Sequence, residues 1–229
     1  MNTSIIPQLF RKDFLLTRKM NFIFCAVQLA SIVIVSMLLG RIPNWAFYNL
    51  AFILLFAPAM TCGIVLVMRT IIMEKVKSTQ PFIMGLPVTL KDFTLSKLLI
   101  NIPIFSAFWL VACGIAFYFV LCLGVFPLGT IPFISMIFIG IFVAYICIIS
   151  TSLIFQSHGI TILTIMFSEM GTSAYMWVVA YLDPIHSNIY GSQMVWNSTA
   201  ITIVTAQVSV AIIMILITLH IQNKKRDFI

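Results

Sequence analysis

Charged side chains are scarce in this sequence. Asp, Glu, Lys and Arg together make up 8% of its 229 residues, whereas apolar residues make up 62%. A soluble domain has about 25% charged and about 45–50% apolar residues. The chain therefore has too little polar surface to enclose a water-soluble core, and we expect lipid to be its outer solvent. This excludes the ordinary soluble classes of enzyme and binding domain.

The residues that hold metals or nucleotides are also few or badly spaced. The five cysteines lie inside apolar stretches, where a free thiol behaves as a small hydrophobe, so neither a disulfide framework nor a metal site is expected. The three histidines, His158, His186 and His220, fall in three different places. The sequence has no Gly-Lys pair and hence no phosphate loop. We expect no ATPase activity and no cofactor on this chain.

Long apolar runs dominate what is present. A membrane-spanning helix needs roughly 20 mostly apolar residues. Six windows of that kind occur, at about 22–39, 46–72, 98–123, 131–155, 160–181 and 200–221. The sequence therefore predicts an all-α integral membrane protein with six transmembrane helices, forming one domain over residues 1–229.

The cations predict the orientation of the chain in the membrane. In a six-span arrangement, twelve of the 13 Lys and Arg residues lie on one side, and only Arg41 lies on the other. Because cytoplasmic loops carry an excess of cations, we expect both termini and the loop 74–97 to be cytoplasmic. The cations are split among three segments without a recognition motif, so nucleic-acid binding is not expected.

The segment 7–20 combines cations with apolar residues. Arg11 and Arg18, seven residues apart, fall on one helical face, as do Lys12 and Lys19. An opposite face carries Leu9, Phe10, Phe14 and Leu16, interrupted by Asp13. This pattern favours a short helix that lies in the membrane interface before the chain turns inward. The alternative is a basic flank that only sets the topology.

The loop 74–97 is the most informative polar segment. Pro81 suits the first turn of a short helix, and Gly85 with Pro87 would end it. Thr89, followed by Asp92, predicts a cap for the helix that becomes the third span. A short helix bearing exposed apolar residues would suit docking into a groove of a partner protein. The alternative is a packed connecting loop.

The same loop carries a family resemblance. The run E-K-V-K-S-T-Q-P-F-I-M-G-L-P-V-T-L-K-D-F-T-L-S-K-L-L resembles the intracellular loop of ABC-2 type transporter permeases. The matching positions are Glu74, Lys75, Thr79, Leu86, Pro87, Val88, Thr89, Lys91, Asp92, Ser96 and Lys97. Residues 10–16 resemble the N-terminal interfacial segment of that family, and residues 223–228 resemble its basic tail.

The resemblance implies a permease subunit of a bacterial ABC exporter in the cytoplasmic membrane. A second permease subunit, identical or different, and a cytoplasmic ATP-binding subunit that holds ATP and Mg would be its partners. The substrate would be hydrophobic or amphipathic: a peptide such as a toxin or bacteriocin, or a lipophilic drug. Export of the cell's own product and expulsion of a foreign peptide both remain open.

In this interpretation, the loop forms a cytoplasmic coupling helix between helices 2 and 3. Thr79 belongs to the matched motif. The expected docking knob consists of Phe82, Met84, Leu86 and Pro87, and the charges that would set its register are Glu74, Lys75, Lys77 and Lys91.

Glu169 is the only acid well inside a predicted span. An ionisable group at that depth is costly and is by default a candidate functional residue, here for the substrate path. The alternative is that 160–181 bends back and leaves Glu169 near water. An ion- or proton-coupled carrier that uses Glu169 is the rival function. An intramembrane enzyme is a weaker rival, because one isolated acid does not make a catalytic cluster.

Two pairs of small residues are spaced for close helix packing. Ala59 and Gly63 are four residues apart, as are Gly140 and Ala144. Packing within one chain is the favoured interpretation, and a seam between two subunits is the alternative.

Overall fold

The computed structural model describes residues 5–76 and 89–224, apart from the side chains at positions 44 and 45. Its helices, in chain order, are α1 (Ile5–Leu38), α2 (Asn44–Val67), α3 (Met73–Val76), α4 (Leu90–Leu121), α5 (Thr130–Phe155), α6 (His158–Ala180), α7 (Asp183–Ile189) and α8 (Ser198–Lys224). A π-helical turn, Met68–Ile72, continues α2 into α3.

Within residues 5–76 and 89–224, six helical stretches are long and apolar enough to cross a membrane, which confirms the all-helical fold with six candidate spans. They are Ile5–Leu38, Ala46–Val76, Leu90–Leu121, Thr130–Phe155, His158–Ala180 and Ser198–Lys224. Each covers one of the six predicted windows to within two residues. The short α7 lies in the connection between the last two spans.

The first helix differs from the expectation. Residues 7–20 do not form a separate helix followed by a turn, because α1 is continuous over 34 residues. At 1.5 Å per residue, α1 is about 51 Å long, well beyond the hydrocarbon core of about 30 Å. Its first half is held by packing: Leu9, Asp13, Thr17 and Met20 form a buried stripe along one face.

The residues predicted to form one apolar face of segment 7–20 do not share one environment. Leu9 is buried together with Asp13, whereas Phe10, Phe14 and Leu16 are exposed. Asp13 therefore belongs to the packed face of α1 and does not interrupt an apolar surface.

The centre of the bundle is built by α2, α4 and α5. Gly63 of α2 lies against two aromatic rings, Phe105 of α4 and Tyr145 of α5, which stack with their centroids 3.8 Å apart. A Cβ atom at position 63 would lie 2.7 Å from Phe105 Cδ2 and 2.8 Å from Tyr145 Cε2. Only glycine allows the three helices to approach this closely. Helix α1 packs on α2 and α4, and α6 and α8 pack on α5.

One end of the bundle carries the start of α1 and the end of α8, and we call it the terminal end. Glu74 of α3 and Lys97 of α4 also lie there, because both contact side chains near the start of α1. The other end, where α2 begins and α4 ends, is called the opposite end.

The predicted cap at the start of α4 is confirmed. Thr89 Oγ1 accepts a hydrogen bond from the Asp92 backbone N–H at 3.1 Å. The Thr89 hydroxyl also donates to Asp92 Oδ2 at 2.7 Å. The cap satisfies one of the free N–H groups of the first turn, and the acid adds a favourable charge at the helix N-terminus.

Candidate functional site

Four charged side chains from three helices meet at the terminal end, and we call them the ion cluster: Lys12 and Asp13 of α1, Glu74 of α3 and Lys97 of α4. Lys97 Nζ lies 2.8 Å from Asp13 Oδ2 and 2.7 Å from Glu74 Oε2. Lys12 Nζ lies 3.3 Å from Asp13 Oδ1 and also donates to Glu74 Oε1. Each cation thus bridges both carboxylates, and the four formal charges sum to zero.

The ion cluster is closed on the protein side and open on one edge. The side chains of Asp13 and Lys97 are 0% and 1% exposed, and that of Glu74 is 8% exposed. Lys12 forms the open edge, with 41% of its side chain exposed. Unpaired charges at such depth are very costly, so the three buried groups depend on one another for their charge balance.

Local structure brings these groups together. The Phe93 ring lies against the ammonium group of Lys97, with its centroid 5.0 Å from Lys97 Nζ. Phe93 also packs against Leu9 of α1. Glu74 follows directly after the π-helical turn Met68–Ile72. A π-helical turn holds one residue more than an α-helical turn, so it changes which face of the helix the next residues occupy. Glu74 is buried and the next residue, Lys75, is exposed.

A buried chain of hydrogen bonds leads from the ion cluster into the bundle. Asn101 Nδ2, one turn after Lys97, donates to the Lys97 carbonyl at 2.8 Å and to Thr70 Oγ1 at 2.9 Å. The Tyr145 hydroxyl donates to the Asn101 carbonyl at 3.2 Å. Thr70 and Asn101 are fully buried, and Tyr145 is 1% exposed. These hydrogen bonds therefore join the π-helical turn after α2 to α4 and α5.

The predicted coupling residues are only partly within the described residues. Glu74 is turned into the bundle, where it belongs to the ion cluster. Lys75 is exposed and lines a small cavity with His158, and Lys91 is exposed in the first turn of α4. The other predicted coupling residues lie outside the described residues: Lys77, Thr79, Phe82, Met84, Leu86 and Pro87.

Sequence reasoning missed the ion cluster as a site. It noted Lys12 as a topology signal, Asp13 as an interruption and Lys97 as a motif position, without pairing them. A signal was present, however. The chain has only six acids, and Asp13 and Glu74 both stand beside spans on the side rich in cations. In a chain so poor in acids, an acid at such a place is a candidate partner for a buried cation.

Glu169 lies near the middle of α6, which is unbroken from His158 to Ala180 and so does not bend back at this point. Its side chain is on the exposed face, beside Phe167 and Met170, which are 71% and 67% exposed. Of the six candidate spans, α6 is both the least apolar and the least buried. Within a single chain, Glu169 therefore faces outward and does not line an internal path.

The small-residue pairs contact helices of the same chain. Ala59 is fully buried, and Gly63 packs on α4 and α5 as described above. A Cβ at Gly140 would lie 3.0 Å from Tyr175 Cε1 and 3.1 Å from Gln207 Nε2, so this glycine packs on α6 and α8. Ala144 is half-buried one turn further along α5.

Among residues 5–76 and 89–224, no group of three His, Cys, Asp or Glu side chains is placed to hold a metal ion. Comparison with models of known protein families, with curated proteins and with solved structures finds no match.

Proposed function

We propose that this chain is the membrane permease subunit of an ATP-driven exporter of hydrophobic or amphipathic molecules. The observation that carries the proposal is the ion cluster. Glu74 precedes the segment 77–88 and Lys97 follows it, and Lys97 forms ion pairs with both Glu74 and Asp13. A force on the segment from a partner would thus reach α1, α3 and α4 together.

The hydrogen-bond chain supports the same mechanism. Force that moves Lys97 would act on Asn101 and, through it, on Thr70 and Tyr145. Because these groups are buried and closely packed, a displacement of one of them moves the others with it. ATP and Mg would act on a separate cytoplasmic subunit, and the segment between Glu74 and Lys97 would be its docking element.

The exposed faces support a second permease subunit. Helix α6 is the least buried span and carries Glu169 in mid-helix. A carboxylate facing hydrocarbon at that depth is costly, whereas one facing a polar path between two subunits is not. In this arrangement Glu169 lines the substrate path. The excess of cations at the terminal end supports a cytoplasmic position for that end, as the proposed bacterial exporter requires.

Copurification and ATPase measurements test the proposal. A tagged chain is expected to bring down an ATP-binding subunit and to stimulate its ATPase activity. Met84→Glu or Leu86→Glu would abolish the stimulation, because a charge in the apolar knob prevents docking. Phe10→Glu is the control, since Phe10 is an exposed apolar residue at the same end but outside the coupling segment. Full stimulation by both knob variants would refute the docking.

Glu169→Gln tests the path role. Transport by the reconstituted complex is expected to fall while ATPase coupling persists, because the ion cluster and the coupling segment are unchanged. If transport and its pH dependence are the same as in the wild type, Glu169 does not line the path. If Glu169→Gln abolishes transport in a chain that has no ATPase partner, the ion- or proton-coupled carrier replaces the exporter.

A further inference from the structure

An apolar groove lies at the opposite end of the bundle, far from the ion cluster. Helices α2 and α6 both pack on α5 but have little contact with each other, and the space between them is about 420 Å³. One wall runs along α2 from Tyr48 to Phe56, and the other is formed by Ser173 and Met176 of α6. The floor consists of α5 residues from Phe133 to Phe138.

The lining has the composition of a ligand site. Pockets that bind small ligands measure roughly 300–1,000 Å³ and are mostly apolar and aromatic, with a few polar groups. This groove is lined mainly by phenylalanine and aliphatic side chains, and Asn49 and Ser173 are its polar side chains besides Tyr48. Its surroundings in a membrane are hydrocarbon, so the occupant must be apolar along most of its length.

The groove is polar at its mouth and closed at its deep end. At the mouth, the Tyr48 hydroxyl donates to the Val125 carbonyl at 3.1 Å, and the Tyr48 ring stacks on Phe126 with centroids 4.0 Å apart. Tyrosines of this kind lie at the level of lipid headgroups. At the deep end, the rings of Phe56 and Phe138 meet with centroids 4.5 Å apart and block further passage.

The length of the groove selects one kind of occupant. From Tyr48 to Phe56 the helix rises about 12 Å. Half of a bilayer's hydrocarbon core measures about 15 Å. A transmembrane helix of a second subunit crosses the whole core, so more than half of its length would lie beyond the groove, which ends where Phe56 meets Phe138. The groove, about 12 Å long, thus covers most of the hydrocarbon depth of one leaflet.

We propose that this groove binds one acyl chain of a membrane phospholipid. The lipid headgroup lies at the level of Tyr48 and Asn49, and the acyl chain extends along Phe52 toward Phe56. The bound acyl chain fills the space where α2 and α6 have little contact. This site lies apart from the ion cluster and goes beyond the proposed exporter function.

Photocrosslinking in detergent tests the proposal with the full chain. The photoreactive residue p-benzoylphenylalanine is introduced in place of Ile53, which lines the groove and is 57% exposed. The matched control replaces Ile212 of α8, which is 52% exposed and outside the groove. After extensive washing, the detergent and any phospholipid that the protein holds are left to react, and their adducts differ in mass. Intact-mass spectrometry should show a phospholipid adduct at position 53 and none at position 212.

Filling the groove should remove the adduct. Ala116→Phe adds a ring from the α4 side, and Ala107→Phe adds the same ring to an exposed position of α4 outside the groove. Ser173→Phe fills the groove from α6, at an exposed residue. We expect loss of the adduct with Ala116→Phe and Ser173→Phe, and its retention with Ala107→Phe.

Four outcomes would overturn the proposal. They are equal adducts at positions 53 and 212, an adduct that both groove-filling variants retain, a crosslinked dimer at position 53 in place of a lipid adduct, and no adduct at all. A dimer would assign the groove to a second copy of the chain. An adduct with the mass of a peptide or another transported molecule would assign it to the substrate.

Discussion

Replacing Lys97 by methionine should lower the free energy of unfolding far more than the small change in side-chain volume suggests. The substitution keeps most of the side-chain volume but removes the one cation that lies 2.8 Å from Asp13 and 2.7 Å from Glu74. The ion cluster then holds two carboxylates and only Lys12, so its formal charge changes from zero to −1. Water cannot compensate for this, because Asp13 is fully buried.

The expected magnitude follows from the burial. Removing one partner of a buried ion pair costs about 3–5 kcal/mol, mostly because the other charge is left without compensation. Native domains are stable by only about 5–15 kcal/mol, so this loss is a large part of the total. A surface lysine would cost much less, since exposed ion pairs contribute about 0–1 kcal/mol.

Unfolding in mixed micelles of mild detergent and SDS, followed by circular dichroism, measures the free energy of unfolding. Lys91→Met is the matched control, because Lys91 lies in the same helix but is exposed. The double variant Asp13→Asn with Lys97→Met restores neutrality and should be more stable than the sum of the two single losses predicts. Equal stability of Lys97→Met and Lys91→Met, or strictly additive losses in the double variant, would refute the coupled cluster.

Two further predictions concern the centre of the bundle. Gly63→Ala should reduce the free energy of unfolding by about 1–3 kcal/mol, since its Cβ would lie 2.7 and 2.8 Å from two aromatic ring carbons. Gly114→Ala, which meets nothing within 4 Å, should be neutral or stabilising, and an equal loss in both variants would contradict the close approach. Asn101→Leu should cost about 1–3 kcal/mol, because it removes the hydrogen bonds to Thr70 and to the Lys97 carbonyl. The double variant Asn101→Leu with Thr70→Val should lose less stability than the sum of the two single variants. Strictly additive losses would show that the two side chains are not linked by the hydrogen bond.

The six spans could be predicted from the sequence because each depends on a local property. A run of roughly 20 apolar residues is long enough to cross the hydrocarbon and satisfies its own backbone in a helix, whatever its neighbours are. The cap at Thr89 and Asp92 was predictable for the same reason, since its two residues are three positions apart.

The ion cluster could not be predicted in this way. Asp13 and Lys97 are 84 residues apart, and Lys12 and Glu74 are 62 apart. Whether such side chains meet depends on how α1, α3 and α4 pack, and on which face of its helix each residue occupies. For Asp13 the sequence pattern indicated an interruption of an apolar face, whereas packing made it a buried partner of Lys97.

Glu169 and the groove show the same division. The sequence identified Glu169 as an acid at membrane depth, but only the packing of α6 on α5 turned it toward the outside of the bundle. The groove has no sequence signal, because its phenylalanines also suit an ordinary core or a lipid-facing surface. The sequence alone determined which segments cross the membrane, since length and apolarity act locally. Tertiary structure decided which polar groups are paired and where space remains, since both depend on contacts between helices distant in the chain.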